Sequence, residues 1–170
     1  KSFLPTVAIV ICSVIWGSTW LAIKIGLEHL PPFLFAGMRF ILASALLYGF
    51  MKVQKINFPR TKYAWKTMLF LGFFQMLDYA FVFWGEQFID SAIGAILFAT
   101  MPFFVVLLSY FMLKEHNITL IKIIGLTVSF CGVVIIFIKD ILDSKNSALG
   151  DISIVLAAAC GAIISVYAKK

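Results

Sequence analysis

Apolar runs of about 20 residues, separated by short polar or charged connectors, recur along the whole of this sequence. A hydrocarbon core roughly 30 Å thick takes about 20 residues of helix to cross. The runs predict six membrane-crossing helices, at 5–24, 33–51, 67–88, 91–113, 119–138 and 150–168. The fold class expected is therefore all-α, a polytopic membrane helix bundle. Composition agrees, with 62% hydrophobic and 13% charged residues, where water-soluble chains run nearer half apolar and a quarter charged. A nucleic-acid-binding domain is excluded despite the net charge of +6. The first run is too long for a cleaved signal peptide, lacks a small-residue cleavage site and is followed by five more, so it counts as a span. Cys12, Cys131 and Cys160 are odd in number and lie inside apolar runs, where they read as small buried thiols and not as staples or metal ligands.

Charge sorts the connectors. With the N-terminus in the cytoplasm, ten basic residues fall inside and three outside, and Arg39 lies within a span. That bias predicts a multi-pass protein of the cell membrane with a cytoplasmic N-terminus. The basic balance then reports topology and anionic lipid, not an acidic partner. The chain opens on Lys1 and stops at Lys169-Lys170 just after its sixth span, which reads as a piece of a longer protein.

Ionisable residues inside a span cost about 2.5–3.5 kcal/mol each on insertion scales, so each needs a reason. Asp78 is expected near the midplane, roughly 16 Å from the cytoplasmic boundary, and Arg39 differs from it in depth by only about 6 Å. Gln75, Asp78, Val82 and Glu86 follow spacings of three, four and four and share one helical stripe, with Tyr79 at its shoulder. A stripe with three polar groups faces other helices or a water-filled cavity, not lipid. Glu86 is expected level with Lys24, at the outer end of the first helix. On that helix Ser13, Gly17, Trp20 and Lys24 repeat along one face with Trp16 beside it, a possible cavity wall. The alternative is close packing at Gly17, an interfacial belt of Trp16 and Trp20, and a snorkelling Lys24. For Asp78 and Arg39 the alternatives are a structural ion pair or substrate and proton handling.

Pro102 sits in the middle of the fourth span and removes the bond that the Phe98 carbonyl would otherwise receive, so a kink is expected there. Transporters break helices at binding sites, but prolines are also simply frequent in membrane helices. Gly125, Ser129 and Gly132, and likewise Ala158, Gly161, Ala162 and Ser165, form small-residue seams expected to be packing surfaces. His29 and His116 lie in connectors without a second ligand at metal spacing, and there is no phosphate loop or nucleophile elbow. No catalytic residue, metal or cofactor is expected, and an enzyme is not.

Several motifs together carry a family resemblance. Trp16-Gly17-Ser18-Thr19-Trp20-Leu21-Ala22-Ile23-Lys24, Pro31-Pro32-Phe33 and Arg39-Phe40 resemble the first two helices of EamA-like permeases of the drug/metabolite transporter superfamily. Trp84-Gly85-Glu86-Gln87, Ile96 through Phe103, Lys114-Glu115 and Gly132-Val133-Val134 resemble helices three to five of the same repeat. The resemblance implies a ten-helix transporter of two inverted five-helix repeats. Residues 1–138 would form the first repeat, 139–149 an external connector, and 150–170 the first helix of a truncated second repeat. Gly161 departs from the pattern, standing where the family usually has tryptophan. The resemblance places Trp16, Trp20, Lys24, Arg39, Glu86 and Pro102 at motif positions; Asp78 rests on the depth argument alone.

The function expected is a secondary permease exporting small metabolites, amino acids or their derivatives, by alternating access. Substrate binding and translocation fall to Trp16, Trp20, Lys24, Arg39, Gln75, Asp78, Tyr79, Glu86 and Pro102. The partners expected are a small-molecule substrate, the lipid bilayer, and the missing second repeat or a homodimer partner, with no nucleic acid. A nucleotide-sugar or other metabolite exchanger is the alternative within transport; a membrane-embedded enzyme or accessory scaffold is the alternative of another class.

Overall fold

The computed structural model describes residues 3–113, 119–136, 138, 142 and 147–169. Their regular structure is entirely α-helical: α1 Phe3–Leu27, α2 Pro32–Val53, α3 Lys62–Gly85, α4 Ser91–Phe98, α5 Met101–Met112, α6 Leu120–Ile136 and α7 Ala148–Lys169. A helix pairs its backbone polar groups within one segment, which is what an apolar run in lipid requires. Among the described residues, five stretches are long and apolar enough to cross a membrane: Pro5–Leu27, Pro32–Val53, Lys62–Gly85, Ser91–Met112 and Ala148–Lys169. The expected span 119–138 appears as the 17-residue α6, at the short end of the crossing range. Lys114, Glu115, His116 and most of the connector 139–146 lie outside the described residues.

Helix ends follow local chemistry more closely than apolarity. The basic stretch 52–66 was expected to be connector throughout, yet α3 begins at Lys62. Thr61 caps it, its hydroxyl oxygen accepting the Ala64 N–H at 3.3 Å. A capping threonine starts a helix whatever the polarity of the first turn. At its other end α3 stops at Gly85, three residues short of the expected 88, so Glu86 is a cap residue in a turn and not part of the helical stripe. Starting at Lys62 also moves Asp78 along the helix: it is residue 17 of the 24 in α3, about two thirds of the way along.

The end of α2 is a Schellman turn. Ile56 N–H reaches the Met51 carbonyl at 2.9 Å and Lys55 N–H the Lys52 carbonyl at 3.2 Å, which requires a left-handed residue between. That residue is Lys55, at φ 53°, where glycine is the cheapest choice and an L side chain costs roughly 1–2 kcal/mol.

α7 is the centre of the packing. It lies against α3 along most of its length and against α5 and α4, burying Gly150, Ser153, Ile154, Ala157, Ala158, Cys160, Gly161, Ala162 and Val166. In lipid, helix association depends on dispersion between closely approaching backbones, so small residues set the interface. The approach is tightest where α3 ends: a Cβ on Gly85 would sit 3.0 Å from the Gly150 carbonyl oxygen, and one on Gly150 would sit 2.7 Å from Ile89. Ser153 Oγ donates to the Phe81 carbonyl at 2.8 Å across the same seam. The expected α7 seam therefore is a packing surface at Ala158, Gly161 and Ala162, while Ser165 is exposed. The expected seam of α6 is not: Gly125 and Gly132 have no described atom within 4 Å of an added Cβ, and Ser129 is exposed. Of the three cysteines only Cys160 is buried; Cys12 and Cys131 lie on exposed helix surfaces.

A second cluster joins α1, α2 and α3 to α7 through Ile23, Ala36, Val82, Phe83 and Ala157, with Phe35 edge-on to Phe83 at 5.3 Å. The rest of α1 and α2 is largely exposed, Trp16 at 67% and Ile41 at 72%. These faces meet lipid or other protein, since bare water would not tolerate them.

Candidate functional site

A cavity of about 300 Å³ opens between α1, α2, α3, α7 and the α4–α5 junction. Six of the nine residues singled out in the sequence border it: Trp16, Trp20, Arg39, Gln75, Asp78 and Tyr79. Lys24, Glu86 and Pro102 do not. The α1 wall is the face of Ile15, Trp16, Thr19, Trp20 and Ile23, rotated from the expected Ser13–Gly17–Trp20–Lys24 stripe. Ser13 and Gly17 are exposed, and no described atom of another element lies within 4 Å of an added Cβ at Gly17.

Asp78 is the polar focus of this cavity. It is 6% exposed; Oδ2 is 3.5 Å from the Gln75 amide nitrogen, one helical turn back, and Oδ1 is buried with no hydrogen-bond partner among the described residues. Arg39 does not satisfy it. The guanidinium instead stacks over the Tyr79 ring at 5.5 Å, and Phe40 meets the same ring edge-on at 4.8 Å. Such cation–π contact is worth about 0.5–2 kcal/mol depending on desolvation. The side chains share the cavity wall but form no ion pair, so a carboxylate and a guanidinium both remain available to a bound group. Across from Asp78, an added Cβ on Gly161 would sit 3.6 Å from Oδ2 and 3.4 Å from the Met101 thioether.

Lys24 and Glu86 belong to a separate cluster at the C-terminal end of α3. Lys24 Nζ donates to the Glu86 carbonyl at 2.8 Å and to the Ile89 carbonyl at 2.6 Å. The ammonium thus caps the carbonyl end of α3, where a cation is favoured, and ties α1 to the α3–α4 turn. Glu86 itself is fully buried, and both its carboxylate oxygens lack a hydrogen-bond partner among the described residues. The two side chains are level, as their spacing predicted, but the bond runs through the Glu86 backbone.

At the predicted kink the regular helix is interrupted for two residues whose backbones stay in the right-handed helical region. α4 ends at Phe98, Ala99 and Thr100 form a turn, and α5 restarts at Met101 with Pro102 in its first turn. Thr100 takes up the interruption, donating from both N–H (3.1 Å) and Oγ1 (2.6 Å) to the Leu97 carbonyl. Pro102 is exposed and outside the cavity; its effect reaches the wall through Phe98 and Met101, which border it.

The model of the EamA-like transporter family matches residues 4–138 of this chain. The chain belongs to the EamA-like transporter family. This EamA-like chain is 32% identical over 163 residues to the uncharacterized transporter YoaV of Bacillus subtilis, covering 95% of the chain and 56% of the relative. It is 29% identical over 168 residues to protein PagO of Salmonella typhimurium, covering 97% and 55%. It is 28% identical over 159 residues to the uncharacterized inner membrane transporter YedA of Escherichia coli, covering 92% and 50%. The EamA-like chain thus spans about half the length of the curated relatives it matches. No solved structure matches it. With its apolar helices, membership makes it a membrane protein of a transporter family.

Sequence reading missed several residues that shape the cavity of this EamA-like chain. Gly94 is the clearest: an added Cβ would lie 2.9 Å from the Trp20 ring, so the indole rests on bare backbone, with Phe98 edge-on at 5.5 Å. The Trp-x-x-x-Trp pair was legible, but nothing in the local pattern around Gly94 names a partner on another helix. Thr19, Ile164 and Ser165 also border the cavity; a small-residue seam on a sequence does not say which of its members, here Gly161 and Ser165, meet a void.

Proposed function

We propose that this chain forms part of a secondary permease that moves small polar metabolites, amino acids or their derivatives, outward across the cell membrane by alternating access. The observation that carries the reading is Asp78, a buried carboxylate whose Oδ1 has no partner among the described residues, on the wall of a cavity of about 300 Å³ shared with Arg39. That volume is at the small end of ligand sites. A carboxylate for an ammonium or a proton, a guanidinium for a carboxylate, and Trp16, Trp20 and Tyr79 as walls together suit a small zwitterion. The relatives' greater length supports a second repeat or a partner completing the cavity, with α7 as the first helix of that second repeat. Alternating access would then move the two bundles about this site. The basic residues support a cytoplasmic N-terminus. In this scheme Lys24 and Glu86 hold the outer end of the bundle and Pro102 sets the bend of the fourth span.

The test is efflux of a panel of labelled amino acids from cells producing the intact protein or its Asp78→Asn variant. The variant is expected to reach the membrane in normal amount and lose export. Wild-type efflux by that variant would sink the assignment.

A further inference from the structure

From the last turn of α2 to the start of α3, residues 52–66 carry Lys52, Lys55, Arg60, Lys62 and Lys66 and no acidic residue, a charge of +5 over 15 residues. The Schellman turn at the end of α2 folds part of this charge around a second cavity, of about 360 Å³, bordered by Tyr48, Lys52, Lys55, Asn57 and Phe58. Lys52 Nζ lies 5.4 Å from the Tyr48 ring centroid. Tyr48, Phe58 and Trp65 stack in a ladder with centroids 6.5 and 6.3 Å apart, joining the end of one span to the start of the next. The cavity is remote from Asp78 in the chain and shares no lining residue with its site.

We propose that this pocket is a binding site for the headgroup of an anionic glycerophospholipid. Its position decides the source of the anion: it sits where one membrane-crossing helix ends and the next begins, which in a bilayer is the region of the headgroups. Its chemistry is divided as such a lipid is, with two ammonium groups and an amide for the phosphate, and an aromatic wall of the kind that settles at the membrane interface. The left-handed Lys55 strengthens the assignment. Glycine would make the same turn more easily, and only the lysine adds a cation at the mouth of the pocket.

Native mass spectrometry of the intact protein in detergent, titrated with phosphatidylglycerol or with phosphatidylcholine of the same acyl chains, tests this. Phosphatidylglycerol should be retained preferentially. Lys52→Gln and Lys55→Gly should each weaken its binding about fivefold, and together about 25-fold, with phosphatidylcholine unaffected. Lys55→Gly keeps the turn, and Lys52→Gln alters an exposed helical position, so neither depends on the other's folding. Lys66→Gln, outside the pocket, should change binding less than twofold. Equal retention of the two lipids, or unaltered binding by both pocket variants, would overturn the proposal. So would an equal loss in Lys66→Gln, which would mean diffuse charge, or displacement of the lipid by equimolar glycerol 3-phosphate, which would mean a site for soluble phosphates.

Discussion

Asp78 and Arg39 show how far a single residue can be read before the chain is folded. Helical spacing put Gln75, Asp78 and Tyr79 on one face, and depth put Arg39 near them; all four border one cavity. Pairing was a different matter, because it depends on rotamers and on the competing Tyr79 ring, to which Arg39 goes. A double exchange, Arg39→Asp with Asp78→Arg, is therefore expected not to recover the transport lost by either single change, since there is no ion pair to rebuild. Full recovery would revive the structural-pair reading. Gly94 gives a second prediction at this scale. In Gly94→Val the new Cβ would stand 2.9 Å from the Trp20 ring, and the overpacking is expected to cost about 1–3 kcal/mol. A lowered midpoint in detergent thermal unfolding, with a shift in tryptophan emission, is the measurement; an unchanged midpoint would show that the indole has room to move.

Individual elements were legible in existence and less so at their ends. Each predicted span has a helix within it, because about 20 apolar residues in lipid leave the backbone little else to form. Ends were set by groups that hydropathy ignores: the Thr61 cap, the Gly85 approach to α7, and the left-handed Lys55. Pro102 predicted a bend, and the outcome is a two-residue interruption at Ala99 and Thr100, where Thr100 supplies replacement hydrogen bonds to Leu97. Pro102→Ala restores a donor for the Phe98 carbonyl and is expected to draw α4 and α5 toward one continuous helix. Spin labels at Ala92 and Phe111 should then approach roughly 28 Å, the rise of 19 helical residues; an unmoved distance would assign the break to Thr100 alone. Lys24→Met removes both ties from α1 to the α3–α4 turn. Charge-assisted hydrogen bonds of this kind contribute about 1.5–3 kcal/mol each, so a clear loss of thermal stability is expected, and full stability would show the ties to be incidental.

On the scale of the whole molecule, the organising fact is that α7, last in the chain, lies at the centre. Its small residues let it pack against α3, α4 and α5, and it supplies Gly161, Ile164 and Ser165 to the cavity wall. Gly150→Leu would force its side chain into Ile89 and the Gly85 carbonyl. Unlike the peripheral seam at Gly125, where Gly125→Leu is expected to be tolerated, it should abolish a monodisperse peak in size-exclusion chromatography. Similar behaviour of the two variants would remove α7 from the centre. The sequence by itself determined that this is a multi-span helical membrane protein, with a carboxylate and a guanidinium at similar depth, because hydropathy and helical period are local properties that a linear pattern carries. Tertiary structure alone decided that α7 is central, that Trp20 lies on Gly94, that Arg39 turns to Tyr79, and that Lys24 binds carbonyls. Those outcomes depend on which helices approach each other and how closely, and an apolar face looks the same in sequence whether it meets lipid or another helix.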